Sequence, residues 1–315
     1  MYNIEQVEQL LNNHFKLNVH KISSLGWNDN MTFLIEAHDN NKYVFKQHLG
    51  TKTANMIESE LLWLKAIAKD TNLNVQRTIK NTFDELTTLV FDKVTGTSFY
   101  WTLQVYIVGE TLKGQPSESE IENLAQLMVT LHEHSINWNI PDGFERPIYE
   151  IEDLKYSLQQ LKKMVSIRKM TSNDFEIIEK ATKEISLIIK DQDKTKDTWG
   201  LIHADLHESN YVFYQGQPAP IDFSSCGFGF YLYDIAITFL HLNPQGRKKL
   251  ISYYQKGRNL QDDYIQVLEA FFLWAIIKNL AFLAKNQKEH KEFANIIPFL
   301  VKNCVKFLQG EKFLL

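Results

Sequence analysis

Asp205, Asn210 and Asp222 are the residues of this chain whose types and spacing could do chemistry together. They fall in one stretch, Leu201 to Ala236. There the apolar pair Leu201-Ile202 runs into His203-Ala204-Asp205, and Asn210 follows five residues on. A short apolar run, Tyr211 to Tyr214, breaks at Gln215-Gly216-Gln217, and a second run, Ala219 to Ile221, ends on Asp222. Two strands joined by a tight glycine turn bring the residues just outside their ends to one rim. The pattern therefore predicts Asn210 and Asp222 at that rim, close to Asp205. A carboxylate that can orient and deprotonate a hydroxyl, beside hard oxygen donors for Mg²⁺, is what phosphoryl transfer requires.

The stretch resembles the aminoglycoside phosphotransferase and choline kinase-like superfamily, small-molecule relatives of protein kinases. That superfamily's His-x-Asp-x-x-x-x-Asn, followed by a hairpin and a metal-binding Asp, falls here on His203, Asp205, Asn210 and Asp222, and Tyr233-Asp234-Ile235-Ala236 matches its tail. The resemblance implies an α+β, two-lobed protein kinase-like fold. Residues 1–94 would form a small antiparallel sheet with a helix, the nucleotide-binding lobe. Residues 95–315 would form a larger, mostly helical catalytic and substrate-binding lobe. It also implies ATP (or GTP) and Mg²⁺ as cofactors, Asp205 as catalytic base, and Asn210 and Asp222 as metal ligands.

Taken singly, these residues have plainer roles. An Asp or Asn before a turn is usually a cap or turn former. His203 is expected to brace the loop by hydrogen bonding, with Asp234 as a partner. The His203–Asp205–His207 spacing invites a metal-hydrolase reading, but the further His and acidic ligands such a site needs are not clustered nearby. His207 reads as a loop residue near the site.

Elements that would position a nucleotide lie upstream. Ile4, Val7, Leu10, Leu11 and Phe15 recur at helical spacing. Val19–Leu25, Thr32–Ala37 and Lys42–Gln47 read as strands, with Asp39-Asn40-Asn41 as turn chemistry. The loop from Ser23 to Asn30, with Gly26 its single glycine, would cover the phosphates in a kinase-like lobe. Alternation places Val44 and Lys46 on one face of their strand. The resemblance gives Val44 the adenine and Lys46 the α and β phosphates, with a carboxylate from the helix near 52–68 bracing the lysine. Register favours Glu60 and leaves Glu58 as the alternative. Leu86 to Phe91 reads as a further strand ending at a Gly turn; it resembles the family's edge strand feeding a hinge, which implies that Phe91 and Lys93 would contact the base.

Beyond Gly96 the chain reads as mostly helical, although Trp101 to Val108 has no clear assignment. Ser117-x-x-Glu120 is a capping box, and His132 near the end of its helix reads as structural. Helices are expected near 151–164, 173–189, 247–256, 261–285 and 288–308, with His241 to Gly246 as a break. Ala204 stands where protein kinases carry the arginine of His-Arg-Asp, Asp222-Phe223-Ser224 replaces Asp-Phe-Gly, and no Ala-Pro-Glu follows. Without that peptide platform a small-molecule acceptor is expected.

The 315 residues are 44% hydrophobic with a net charge of −4, which makes no electrostatic case for nucleic acid or an anionic membrane. The start shows no signal-peptide pattern. The apolar run Val267 to Ala284 is interrupted by Glu269, Lys278 and Asn279, which argues against a membrane span. Two cysteines suggest neither a metal site nor a disulfide framework. A cytoplasmic enzyme is expected, of undetermined oligomeric state. From His241 onward twelve basic side chains face six acidic ones. That excess leans away from polycationic aminoglycosides, towards a sugar, amino alcohol or hydroxy amino acid. A catalytically silent kinase-like nucleotide-binding or structural protein is the second reading; an antibiotic (aminoglycoside or macrolide) kinase or a protein kinase is the third.

Overall fold

In the computed structural model, residues 3–27, 30–50, 52–92 and 95–315 are described. By contacts the chain divides into two units: Met1–Gly109 with Trp138–Arg146 and Ala219–Ser224, and Glu110–Asn137 with Pro147–Pro218 and Ser225–Leu315.

The first unit opens with α1 (Ile4–Phe15), which a reciprocal Asn3–Gln6 capping box starts. Three strands follow in antiparallel succession: β1 (Val19–Trp27), β2 (Asn30–Ala37) and β3 (Lys42–His48). Then come α2 (Ala54–Asp70), a two-residue β4 (Thr78–Ile79), β5 (Thr88–Asp92) and β6 (Thr97–Val105). One face of the sheet carries Phe33, Phe45, Trp101 and Leu103, which bury against Val7 and Leu11 of α1. Phe45 and Trp101 stack at 4.6 Å. With those side chains committed to α1, alternation turns Val44 and Lys46 to the other face.

Two expectations change here. Trp101 to Val105, left unassigned, is the body of β6, which pairs β3 from Tyr43↔Val105 to His48↔Tyr100. Its aromatic and β-branched residues suit a half-buried pleated surface. The segment after Phe91 also does not leave the sheet. It turns back through Thr95 and Gly96, with Asp92 O accepting from the Gly96 N–H at 2.8 Å, and β5 pairs β6 from Thr88↔Trp101 to Asp92↔Thr97. Phe91 is therefore an exposed hairpin residue, not a hinge; Lys93 lies outside the described residues. The sheet-bearing unit runs to Gly109, past the boundary expected at 94.

The second unit is mainly helical: α3 (Glu118–Asn137), α4 (Ile151–Ser166), α5 (Ser172–Lys190), α6 (Tyr231–Thr238), α7 (Pro244–Tyr254), α8 (Tyr264–Leu283) and α9 (His290–Leu308). The Ser117–Glu120 capping box starts α3 as expected. Asn243 caps α7 and Pro244 occupies its first turn, so the stretch read as a break is a helix start. By length and composition α8 could cross a membrane, but 72% of its apolar window is buried inside the protein, where it packs on α4, α6 and α9. A two-stranded ribbon of β7 (Trp199–Ile202) and β10 (Gly227–Phe230) carries the chain into and away from the His203–Asp222 stretch. Within that stretch, β8 (Tyr211–Tyr214) and β9 (Gln217–Pro220) pair through Gln215-Gly216. Both turn residues have positive φ, 51° and 77°, the geometry of a hairpin turn whose twist matches its strands.

Candidate active site

In the first unit, Lys46 is buried and its Nζ lies 2.8 Å from Asp222 Oδ1. Burial pulls the amine down, and the Asp222 and Glu60 carboxylates more than offset it, so Lys46 stays firmly cationic. Ser224 completes the arrangement. Its Oγ donates to Asp222 Oδ1 at 2.6 Å and accepts from Lys46 Nζ and from Asn30 Nδ2, each at 3.0 Å. The serine that departs from Asp-Phe-Gly thus fastens the metal-binding candidate to the lysine. Asp222 has φ 56°, a left-handed conformation uncommon outside glycine.

The carboxylate paired with Lys46 is therefore Asp222, not the Glu60 expected. Glu60 is buried and lies 3.6 Å from the Arg146 guanidinium. Its neighbour in the competing register, Glu58, accepts instead from Thr87. Arg146 also donates to Met56 O at 2.8 Å and to Ser224 O at 2.7 Å. It competes with Lys46 for Glu60, and nothing in the sequence around Gly143-Phe-Glu-Arg146 signals that. Gly26 lies on β1 opposite Thr32, beside a bulge, and Asn30 opens β2. Of the loop between them, Asn28 and Asp29 lie outside the described residues.

In the second unit, β7 delivers His203 into the interior and Asp205 to the surface, where the carboxylate side chain keeps 44% exposure. Asn210 Nδ2 donates to Asp205 O at 2.9 Å and to Asp205 Oδ2 at 2.8 Å. The structure thus brings these two predicted residues together. His207 Nε2 lies 3.6 Å from Asp205 Oδ1, which places that ring at the site as well.

The loop is held from below by Asp234, which is wholly buried. Its Oδ2 accepts from the His203 N–H at 3.0 Å and its Oδ1 from the Ala204 N–H at 2.8 Å. The expected His203–Asp234 partnership is real, but this bond runs through the backbone of His203. The ring that meets Asp234 is that of His132, at 3.2 Å, with Tyr254 Oη on its other nitrogen. Burial pushes Asp234 up, while the His132 hydrogen bond and the nearby histidines pull harder, so its carboxyl lies below the usual range. These bonds hold Ala204 at φ 62°, a left-handed turn that costs an alanine about 1 kcal/mol.

Burial depresses the pKa of His48, His132 and His241, the last to about 4. All three are neutral in the folded protein at pH 7. An unfolded chain protonates them near pH 6.5, so their contribution to stability is complete above that value and is lost as pH falls towards 4. The melting temperature is expected to drop by roughly 10 °C between pH 7 and pH 4.5, measured as a pH series of thermal melts. A flat profile would contradict it.

Among the described residues no group of three or more His, Cys, Asp or Glu could hold a metal ion. Asn210 in the second unit and Asp222 in the first each carry an oxygen donor of the hard kind that Mg²⁺ prefers.

Residues 21–270 match the sequence profile of the phosphotransferase enzyme family, APH. The chain belongs to that family. As a phosphotransferase of this kind it acts on an alcohol group and has a protein kinase-like fold. No curated protein matches it. Among solved structures, a microcompartment-associated aminopropanol kinase aligns over 99% of this chain and 100% of its own, with TM-score 0.85 and 19% identity. An amicoumacin kinase, solved with AMP-PNP, Ca²⁺ and amicoumacin, aligns over 96% and 94%, with TM-score 0.76 and 16% identity. A spectinomycin phosphotransferase, solved with ADP and spectinomycin, aligns over 98% and 99%, with TM-score 0.74 and 13% identity. At these identities the likeness is one of fold, so the acceptor of this phosphotransferase must be argued from its own residues.

Proposed function

We propose that the protein transfers the γ-phosphoryl group of ATP, with Mg²⁺, to a hydroxyl of a small polar metabolite. The observation that carries this reading is the exposed Asp205 carboxylate, held by Asn210 on a loop pinned by Asp234. Asp205 orients the acceptor hydroxyl and takes its proton as the O–P bond forms. Lys46 neutralises phosphate charge, and Asn210 and Asp222 would supply oxygen ligands to the metal. Bound there, the metal would offset charge developing on the phosphates. Val44, on the Lys46 face of β3, covers the base, and the stretch leaving β6, Tyr106 to Gly109, takes the hinge role first assigned to Phe91 and Lys93.

The excess of basic residues after His241 says less about the acceptor than the bare count does. Arg247 donates to Phe239 O and Leu314 O, and Arg258 to Glu133 and Asp197 O. Lys249 and Lys256 pair with Glu118 and Glu122. These four charges are committed to the fold, whereas Lys278 pairs with Asp153 and acts electrostatically with Asp205.

A screen of hydroxyl metabolites for ADP release tests the proposal. We expect turnover that needs a divalent cation, preceded by a rise in melting temperature on adding ATP and Mg²⁺ together. A protein that binds the nucleotide yet releases no ADP with any acceptor would be the silent relative instead.

A further inference from the structure

Lys278 is a lone cation on an otherwise apolar helix. α8 carries one other charge, Glu269, whose carboxylate accepts from the Phe313 and Leu314 N–H groups and so serves the fold. Lys278 binds no backbone group. Its Nζ lies 3.2 Å from Asp153 Oδ2 on α4, 3.8 Å from the centroid of the Tyr149 ring and 5.8 Å from that of Tyr233. The lysine and Asp153 side chains keep 32% and 28% exposure, so a solute can reach the pair. Beside it, the Tyr233 hydroxyl is fully buried with no hydrogen-bond partner. An orphaned buried hydroxyl costs about 1–3 kcal/mol; retaining one here calls for a partner that arrives with a ligand.

The cluster adjoins the proposed base. Burial pushes the Tyr233 hydroxyl well up, and the charges of Asp153 and Asp205 add to that, so it remains an O–H donor. Burial pulls the Lys278 amine down, and the Asp153 and Asp205 carboxylates only partly restore it. An ammonium and, on a ring whose centroid lies 5.8 Å from it, a hydroxyl with no acceptor are two donors that an anionic group could serve.

We infer that Lys278 and Tyr233 form the acceptor subsite beside Asp205 and bind a carboxylate of the acceptor, which makes the substrate a small hydroxy acid or hydroxy amino acid. Asp153 orients the lysine and takes the α-ammonium when the acceptor has one. This inference deepens the proposed kinase activity and rests on it.

The test uses matched acceptors that differ by one carboxylate: serine and ethanolamine, threonine and 1-aminopropan-2-ol, glycerate and glycerol. In at least one pair the carboxylated member should show kcat/KM at least roughly 10-fold above its partner. Lys278→Met should erase that difference mainly through KM, by roughly 10- to 100-fold, with ATP affinity and thermal stability kept. Tyr233→Phe, which retains the buried ring, should weaken the same preference several-fold. Preference for the decarboxylated member, or discrimination that survives Lys278→Met, would overturn the assignment. If no carboxylated acceptor is phosphorylated while other hydroxyl compounds are, the subsite fails and the kinase reading stands. If no hydroxyl compound of any class is phosphorylated, both fail.

Discussion

Asp205→Ala is expected to lower kcat by about 10²- to 10⁴-fold, the range over which a positioned general base contributes. Nucleotide affinity should stay within a few-fold, because Lys46, Asp222 and Ser224 are held by hydrogen bonds to one another. The side chain is substantially exposed, so the variant should fold. Asp205→Asn separates two roles. An amide can still meet Asn210 and preserve the loop, but it cannot take a proton, so it should be nearly as slow as alanine. Single-turnover phosphorylation of the acceptor under saturating ATP and Mg²⁺ reads this directly. A rate within tenfold of the parent for both variants would remove Asp205 from the chemistry.

Asp234→Ala should have the largest effect on stability. It strips a fully buried carboxylate from two backbone N–H groups and from the His132 ring. Each of these three donors, left buried without its acceptor, costs about 1–3 kcal/mol, so a loss of order 5 kcal/mol is expected. For a chain of this size that is a drop of roughly 10–20 °C in melting temperature, or failure to fold. Asp234→Asn keeps one oxygen for one of the two N–H groups and should fold. It should still lose activity, because Ala204 would no longer be held from both sides in its left-handed turn. Melting curves and kcat on that variant check this; parental values for both would mean that the Asp205 loop stands without its buried support.

The local chemistry was largely legible in the sequence. Strand alternation put Lys46 and Val44 on one face, and the spacing of Asp205 and Asn210 predicted the contact now seen between them. The strand ending near Phe91 is present as β5, but the hinge expected after it is a hairpin: Phe91-Asp92 followed by Thr95-Gly96 is equally good chemistry for both, and only the pairing partner, β6, distinguishes them. Glu60, expected to brace Lys46, lies beside Arg146 instead, and that partner was hidden. Arg146 lies 86 residues away along the chain, and no local pattern encodes that meeting. Lys278 was visible only as an interruption of an apolar run, since its meaning depends on Tyr149, Asp153 and Tyr233 from three other segments.

Arg146 has a bearing on control. In protein kinases, activity is gated by moving the helix that follows the lysine strand in and out of register with the metal-binding segment. Here one guanidinium grips that helix through Met56 O and Glu60 and, with its other nitrogen, the backbone at Phe223 and Ser224. Swinging α2 outward would abandon an interior cation, at a cost of several kcal/mol. The same guanidinium therefore ties α2 to the segment that carries Asp222.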